Sequence, residues 1–204
     1  MGGKSSRLSA RSKQATIAVL GLDGAGKTAL LGRAARGSPL AGAHGVPTHG
    51  CGVVDLSCSG FRLRCLDLGG SPAAQAVWRA YYRRADAIVF VIDSSDRKRV
   101  ERAGTTLQTV LDDPQLAGVP VLILANKQDL LDAVSGTELS DGLNCSQIRG
   151  RLWQIQQTSA KTGEGIQAAF NWLLRTLVEG TLTAKEMRRI RYNVERHKPA
   201  TRAQ

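Results

Sequence analysis

An apolar run, Ile17-Ala18-Val19-Leu20, leads directly into Gly21-Leu22-Asp23-Gly24-Ala25-Gly26-Lys27-Thr28, and a helix-compatible stretch follows. No other feature of the 204-residue chain restricts its folding as much. Bound phosphate is held by backbone amides that point inward, and side chains would block that approach, so glycines recur. Lys27 is placed to reach the β- and γ-phosphates as a point charge, and the Thr28 hydroxyl to ligate Mg²⁺. Asp23, Gly24, Ala25, Gly26 and Ala29 are the remaining expected contacts of this loop. A strand that ends in a phosphate loop and restarts as a helix needs a sheet on one side and room for a helix on the other.

The rest of the chain supplies both. Residues 15–20, 52–56, 61–66, 87–92, 119–125 and 152–156 read as strands. Ile88-Val89-Phe90-Val91-Ile92 and Val121-Leu122-Ile123-Leu124 are apolar without alternation, as a strand buried on both faces requires. Ser59-Gly60 offers a tight turn between the second and third runs, hence a hairpin. Helices fit at 27–36, 73–83, 97–111 and 164–178. The expected fold is a three-layer α/β P-loop domain: a mostly parallel six-stranded sheet with one antiparallel edge strand. It spans residues 15–180, between a basic tail at 1–14 and a basic extension at 181–204.

Net charge is +11, yet residues 1–13 and 185–204 hold nine of those excess charges, leaving the domain nearly balanced. Two basic tails on a neutral body suit an anionic membrane surface or an acidic partner better than a nucleic-acid groove. The plain alternative is solvated ends. No apolar run approaches the roughly 18 residues that span a bilayer. Residues 1–13 lack the apolar core of a secretory signal, so a cytosolic location is expected. Cys51, Cys58, Cys65 and Cys145 form no CxxC pair and read as structural thiols. Gly2 with Ser6 matches the acceptor pattern for N-myristoylation, and Lys4, Arg7, Arg11 and Lys13 would be its second membrane signal. In the extension, Thr183 and Glu186 have capping-box spacing, with Met187, Ile190 and Val194 on one helical face. That helix could meet a membrane or a partner, pack on the domain, or fray.

The base is named by Asn126-Lys127-Gln128-Asp129, just after an apolar run. Guanine presents a ring N–H beside an exocyclic amino group, and one carboxylate, that of Asp129, can accept from both. Adenine lacks the pair and would leave the carboxylate desolvated, a loss of very roughly 10⁴-fold. Asn126 would tie this loop to the phosphate loop, with the Lys127 stem along the ring. Ser159-Ala160-Lys161 follows the last strand, where the Ala160 amide can donate to the guanine carbonyl. A P-loop kinase would leave these guanine motifs unexplained.

With these motifs the chain resembles the Ras superfamily, and within it the ADP-ribosylation-factor-like GTPases. Asp67-Leu68-Gly69-Gly70 with Trp78 is similar to that family's second switch. Val91-Ile92-Asp93-Ser94-Ser95-Asp96-Arg97-Lys98-Arg99, Gly142-Leu143-Asn144 and Arg151-Leu152-Trp153-Gln154-Ile155-Gln156 narrow the likeness, which covers about 15–178. The resemblance implies a monomeric GTP/GDP switch with Mg²⁺, served by effector, activating and exchange proteins. Its most similar branch implies release of lipidated cargo at a cilium or flagellum. It also implies that Thr48 ligates Mg²⁺, that Asp67 holds a Mg²⁺ water and that Gly70 senses the γ-phosphate.

The chain departs from the family at Ser71, where relatives place the glutamine that orients the attacking water. Serine is too short for that task, and Gln75, one helical turn on, is the weaker substitute. Leu66 and Cys51 stand where the family has tryptophan and phenylalanine, which removes aromatic surface from the effector side. Residues 38–45 are rich in Gly and Ala, so a mobile first switch is expected; His44 and His49 are not expected as metal ligands, because Mg²⁺ takes oxygen. Two readings follow: a slow GTPase that needs an activating partner, or a GTP-loaded binding module with vestigial hydrolysis.

Overall fold

The computed structural model describes residues 14–36 and 50–180. Gly2, Thr48, His44, His49, both basic tails and the capping-box segment at Thr183 lie outside the described residues.

The sheet has six strands: β1 (Gln14–Leu20), β2 (Cys51–Cys58), β3 (Phe61–Leu68), β4 (Ala87–Asp93), β5 (Val121–Asn126) and β6 (Trp153–Gln157). Their order is β2-β3-β1-β4-β5-β6, and every pairing is parallel except β2 with β3. The hairpin turns at Ser59 and Gly60, both with positive φ (48° and 78°), the mirror-image turn that matches strand twist.

Among the described residues six α-helices flank the sheet: α1 (Lys27–Ala35), α2 (Pro72–Gln75), α3 (Arg79–Tyr82), α4 (Val100–Leu111), α5 (Gly136–Gly142) and α6 (Ile166–Glu179). Successive strand residues point to opposite faces, so the central strands need apolar residues at every position. Ile17, Val19, Val89, Val91, Leu122 and Leu124 pack under α1 and α6. Ala18, Leu20, Ile88, Phe90, Ile92 and Ile123 pack under α4 and α5. Each fully buried large aliphatic side chain contributes about 1.5–3 kcal/mol.

Two expectations change. The single helix expected over 73–83 is two short ones, because hydrogen bonds from Val77, Trp78 and Ala80 run to the third residue back. That tighter coil delivers Trp78 into the core, 2% exposed. The second change is α5, absent from the sequence reading. It starts on a capping box in which Ser135 Oγ accepts from the Glu138 amide and Glu138 accepts from the Ser135 amide.

Because β1 has β3 on one side and β4 on the other, the chain changes direction there, and a crevice opens at the strands' carboxyl ends. The loops after β1, β3, β4, β5 and β6 all emerge on that edge. No helix among the described residues is long and apolar enough to cross a membrane.

Candidate functional site

The loop after β1 closes around its own lysine. Lys27, 7% exposed, donates through Nζ to the carbonyls of Gly21 and Leu22, both at 2.9 Å. Burial pushes the ammonium below its ordinary pKa, an effect partly offset by the Asp67 and Asp23 carboxylates. A cation held in a glycine-rich loop that opens a helix is the arrangement that receives phosphate. Asp23 and Gly24 are exposed on the crest of the loop, Ala25 is buried beneath it, and Ala29 lies exposed in the first turn of α1.

Thr28 and Asp67 meet across the crevice, the Thr28 hydroxyl donating to Asp67 Oδ2 at 2.5 Å. They come from α1 and β3, so the contact exists only because β1 pairs with β3. Two hard oxygen donors side by side at the end of a phosphate loop are the donor chemistry that Mg²⁺ takes. Gly70 lies on the loop itself: a Cβ there would stand 2.4 Å from Asp23 N and 2.5 Å from Gly21 O. Only glycine allows this approach, which sets the Gly70 backbone directly against the phosphate loop. Trp78 holds the preceding residue, Nε1 donating to Gly69 O at 2.8 Å.

At the other end of the crevice the two base motifs join. Asn126, 1% exposed, donates through Nδ2 to Ala25 O at 2.9 Å and accepts from the Ala160 amide at 3.0 Å. One side chain thus ties the loops after β1, β5 and β6 together. Asp129 accepts from Ser159 Oγ at 2.6 Å, with Lys161 Nζ 3.9 Å from its other oxygen. The Ser159 hydrogen bond is the main cause of a carboxyl held below its ordinary pKa. Lys127, at a positive φ of 67°, donates to Asp93 Oδ2 at 2.6 Å, while Ser95 donates to Oδ1 from its amide and hydroxyl. Burial alone would raise Asp93, but these donors outweigh it and hold the carboxyl below its ordinary value.

The site contains three residues that motif reading did not assign: Asp93, Arg99 and Arg33. Arg99 donates to the Asp23 carbonyl at 3.1 Å and pairs with Asp96 at 2.6 Å, bracing the phosphate loop against the start of α4. Arg33 donates to Thr162 O at 2.5 Å. Asp93 and Arg99 do lie inside the segment that carried the family likeness; Arg33 lies in none.

Ser71 is exposed and caps α2, its Oγ accepting from the Ala74 amide at 3.3 Å. Gln75 folds back onto the switch, with Nε2 donating to Gly70 O at 2.7 Å. Leu66 is buried and Cys51 half-buried, whereas Val53 and Val77 are exposed nearby in sequence.

Comparison with known proteins agrees with this geometry. The family model for the ADP-ribosylation factor family matches residues 3–177. ADP-ribosylation factor-like protein 3 of Chlamydomonas reinhardtii is 40% identical over 162 residues, 79% of this chain and 90% of that protein. ADP-ribosylation factor-like protein 1 of Caenorhabditis elegans is 38% identical, over 81% of this chain and 90% of its own length. Among solved structures, the Arl6 BBS3 small GTPase of Trypanosoma brucei, with bound GppNp, superposes with a TM-score of 0.73. It is 28% identical, over 80% of this chain and 97% of that one. The chain is accordingly a guanine-nucleotide-binding, GTP-hydrolysing switch and belongs to the ADP-ribosylation factor family.

Proposed function

We propose that this protein is a slow switch, one that holds GTP with Mg²⁺ firmly and hydrolyses it only weakly without an activating partner. The observation that carries the reading is the pairing of the convergent Lys27, Thr28–Asp67 and Asn126–Asp129 groups with a second switch in which Ser71 Oγ caps α2.

In this reading Lys27 and the amides of residues 23–29 bind the phosphates, and Asp129 accepts from the two guanine donors. Asn126 fixes the distance between these two ends, and Ala160 and Lys161 complete the base loop with Ser159. Lys127 lies along the base with its ammonium on Asp93. Thr28, Asp67 through a water and Thr48 would hold Mg²⁺, which neutralises charge on the β- and γ-phosphates. Gly70 donates its amide to the γ-phosphate, so its loss on hydrolysis releases the switch. Ser71 is too short to orient water, and its hydroxyl is already engaged. Intrinsic turnover should therefore fall below the order of 10⁻⁴ s⁻¹ of a small GTPase with its glutamine intact.

Effectors would meet exposed aliphatic side chains such as Val53 and Val77, with the family's aromatics absent at Leu66 and Cys51. Gly2 myristoylation together with the basic tails would give reversible membrane attachment, since one acyl chain alone anchors marginally. The likeness to an ADP-ribosylation factor-like protein 3 supports a role in trafficking lipidated cargo at a cilium or flagellum. A second reading, a GTP-bound binding module without turnover, rests on the same Ser71.

Single-turnover hydrolysis by the Mg²⁺-loaded protein and by Ser71→Gln separates the two. The slow-switch reading expects a low but measurable rate that Ser71→Gln raises by at least about tenfold. No decay in wild type over many hours would favour the binding module. An unchanged rate in Ser71→Gln would contradict the role given to residue 71.

A further inference from the structure

We infer that Arg33 is a positioning residue for guanine retention, a clasp that fastens the base-reading loop to the helix beginning at the phosphates; the inference rests on the role proposed for Asp129. Arg33 lies in the last turn of α1, the helix that opens with Lys27 and Thr28. Its Nη2 donates to the Thr162 carbonyl at 2.5 Å, across 129 positions of sequence. The guanidinium also turns its Nε–Nη2 edge toward Gly163: a Cβ at that position would stand 2.7 Å from Nε, 3.0 Å from Nη2 and 3.2 Å from Cζ. The two nitrogens are nearer than the carbon between them, so the donor edge makes the approach, and Gly163, at φ +92°, is the residue that leaves room for it.

From this contact a short relay reaches the base carboxylate. The Gly163 amide donates to Ser159 O at 2.8 Å, and the Thr162 amide donates to Ser159 Oγ at 3.1 Å. Ser159 Oγ donates in turn to Asp129 Oδ1 at 2.6 Å. Every link of the relay is a hydrogen bond, so the angle at which Asp129 faces the base depends on where Thr162 and Gly163 are held. A planar, always charged guanidinium suits the task, since its rigid fork can grip the Thr162 carbonyl while the same edge fills the space beside Gly163. The phosphate contacts of Lys27 and Thr28 lie at the opposite end of α1 and use none of these bonds. Arg33 therefore acts on the base half of the ligand.

The test measures dissociation of fluorescent GDP and inosine diphosphate from the full chain in excess Mg²⁺, with thermal unfolding followed in parallel. Inosine diphosphate keeps the ring carbonyl and N–H but lacks the exocyclic amino group that Asp129 accepts. Arg33→Ala should speed GDP release by about fivefold or more. Its effect on inosine diphosphate should be clearly smaller, so that discrimination between the two nucleotides narrows. Gly163→Ala, whose methyl would displace the same guanidinium, should reproduce the pattern, and Arg33→Lys should recover only part of the retention. An unchanged GDP rate in Arg33→Ala beside firm wild-type retention would overturn the clasp alone. Equal acceleration for both nucleotides, with a lowered unfolding temperature, would make Arg33 merely structural and overturn it too. Wild-type protein that retains no guanine nucleotide would overturn the guanine-switch reading, and the clasp with it.

Discussion

The base end and the switch end of this crevice are assembled in different ways. At the base end, side chains close on one another: Asn126 joins three loops, Asp129 is held by Ser159, and Lys127 is held by Asp93. At the switch end, the second switch is held by a backbone approach at Gly70, by bonds from Trp78 and Gln75 to the carbonyls of Gly69 and Gly70, and by the Gly69 amide on Gly50 O. A mesh of mutually satisfied polar groups is rigid and tolerates few changes. A segment held through its backbone, with its own side chains little engaged, can move and can drift in sequence. Every departure from the family pattern noted above falls in or beside the second kind of region. Recognition of the ligand and turnover of the ligand are therefore under separate structural control.

The largest expected effect breaks the base end. Asp129→Ala should weaken GTP binding by roughly 10³- to 10⁴-fold in a calorimetric titration, because both guanine donors lose their acceptor. A loss under tenfold would mean that Asp129 does not read the base. Next comes the indole that supports the switch. Trp78→Ala empties a site that is 2% exposed and should cost about 3–5 kcal/mol in urea unfolding. Trp78→Phe keeps most of the volume, removes the bond to Gly69 and should cost about 1 kcal/mol. Equal costs would show that the indole bond, not packing, holds the switch, and no cost in Trp78→Phe would show the reverse.

A pH titration sharpens the comparison further. Asp93 and Asp129 both have folded pKa values below their ordinary ones, so the stability they contribute is complete above the unfolded carboxylate range. It is lost as pH falls through the depressed folded values. GDP retention should therefore be flat from neutral pH to about 5 and collapse only below about 4. A collapse between pH 6 and 7 would point to other groups. The smallest effect is that of Ser71→Ala, which removes a helix cap worth about 0.5–2 kcal/mol. It should lower thermal stability slightly and leave hydrolysis within about twofold of wild type. A large fall in rate would return Ser71 to the catalytic machinery.

What the sequence made legible was local. The unbroken apolar runs of β4 and β5 announced strands buried on both faces, and both are buried along almost their whole length. Ser59-Gly60 announced a turn, and the phosphate and base motifs are contiguous segments whose residues serve neighbouring positions. Less legible was whatever depends on distant partners. Helix α5 had a readable signal in Ser135 and Glu138, but its seven residues carry little apolar periodicity. The break between α2 and α3 follows from where Trp78 must go, which periodicity over 73–83 does not encode. Arg33, Arg99 and Asp93 act across 129, 76 and 34 positions, and nothing in their local context marks them as braces. Their partners adjoin through the order of the strands, so their roles become visible only once the sheet is assembled.

The most direct test of a firm base end joined to a weak catalytic end follows the nucleotide on the purified, Mg²⁺-loaded protein through time, by chromatography of the bound fraction. The account expects bound guanine nucleotide, GTP decaying to GDP more slowly than the order of 10⁻⁴ s⁻¹ and little release during the decay. Recovery of adenine nucleotide, or decay as fast as in a GTPase that keeps its glutamine, would contradict it.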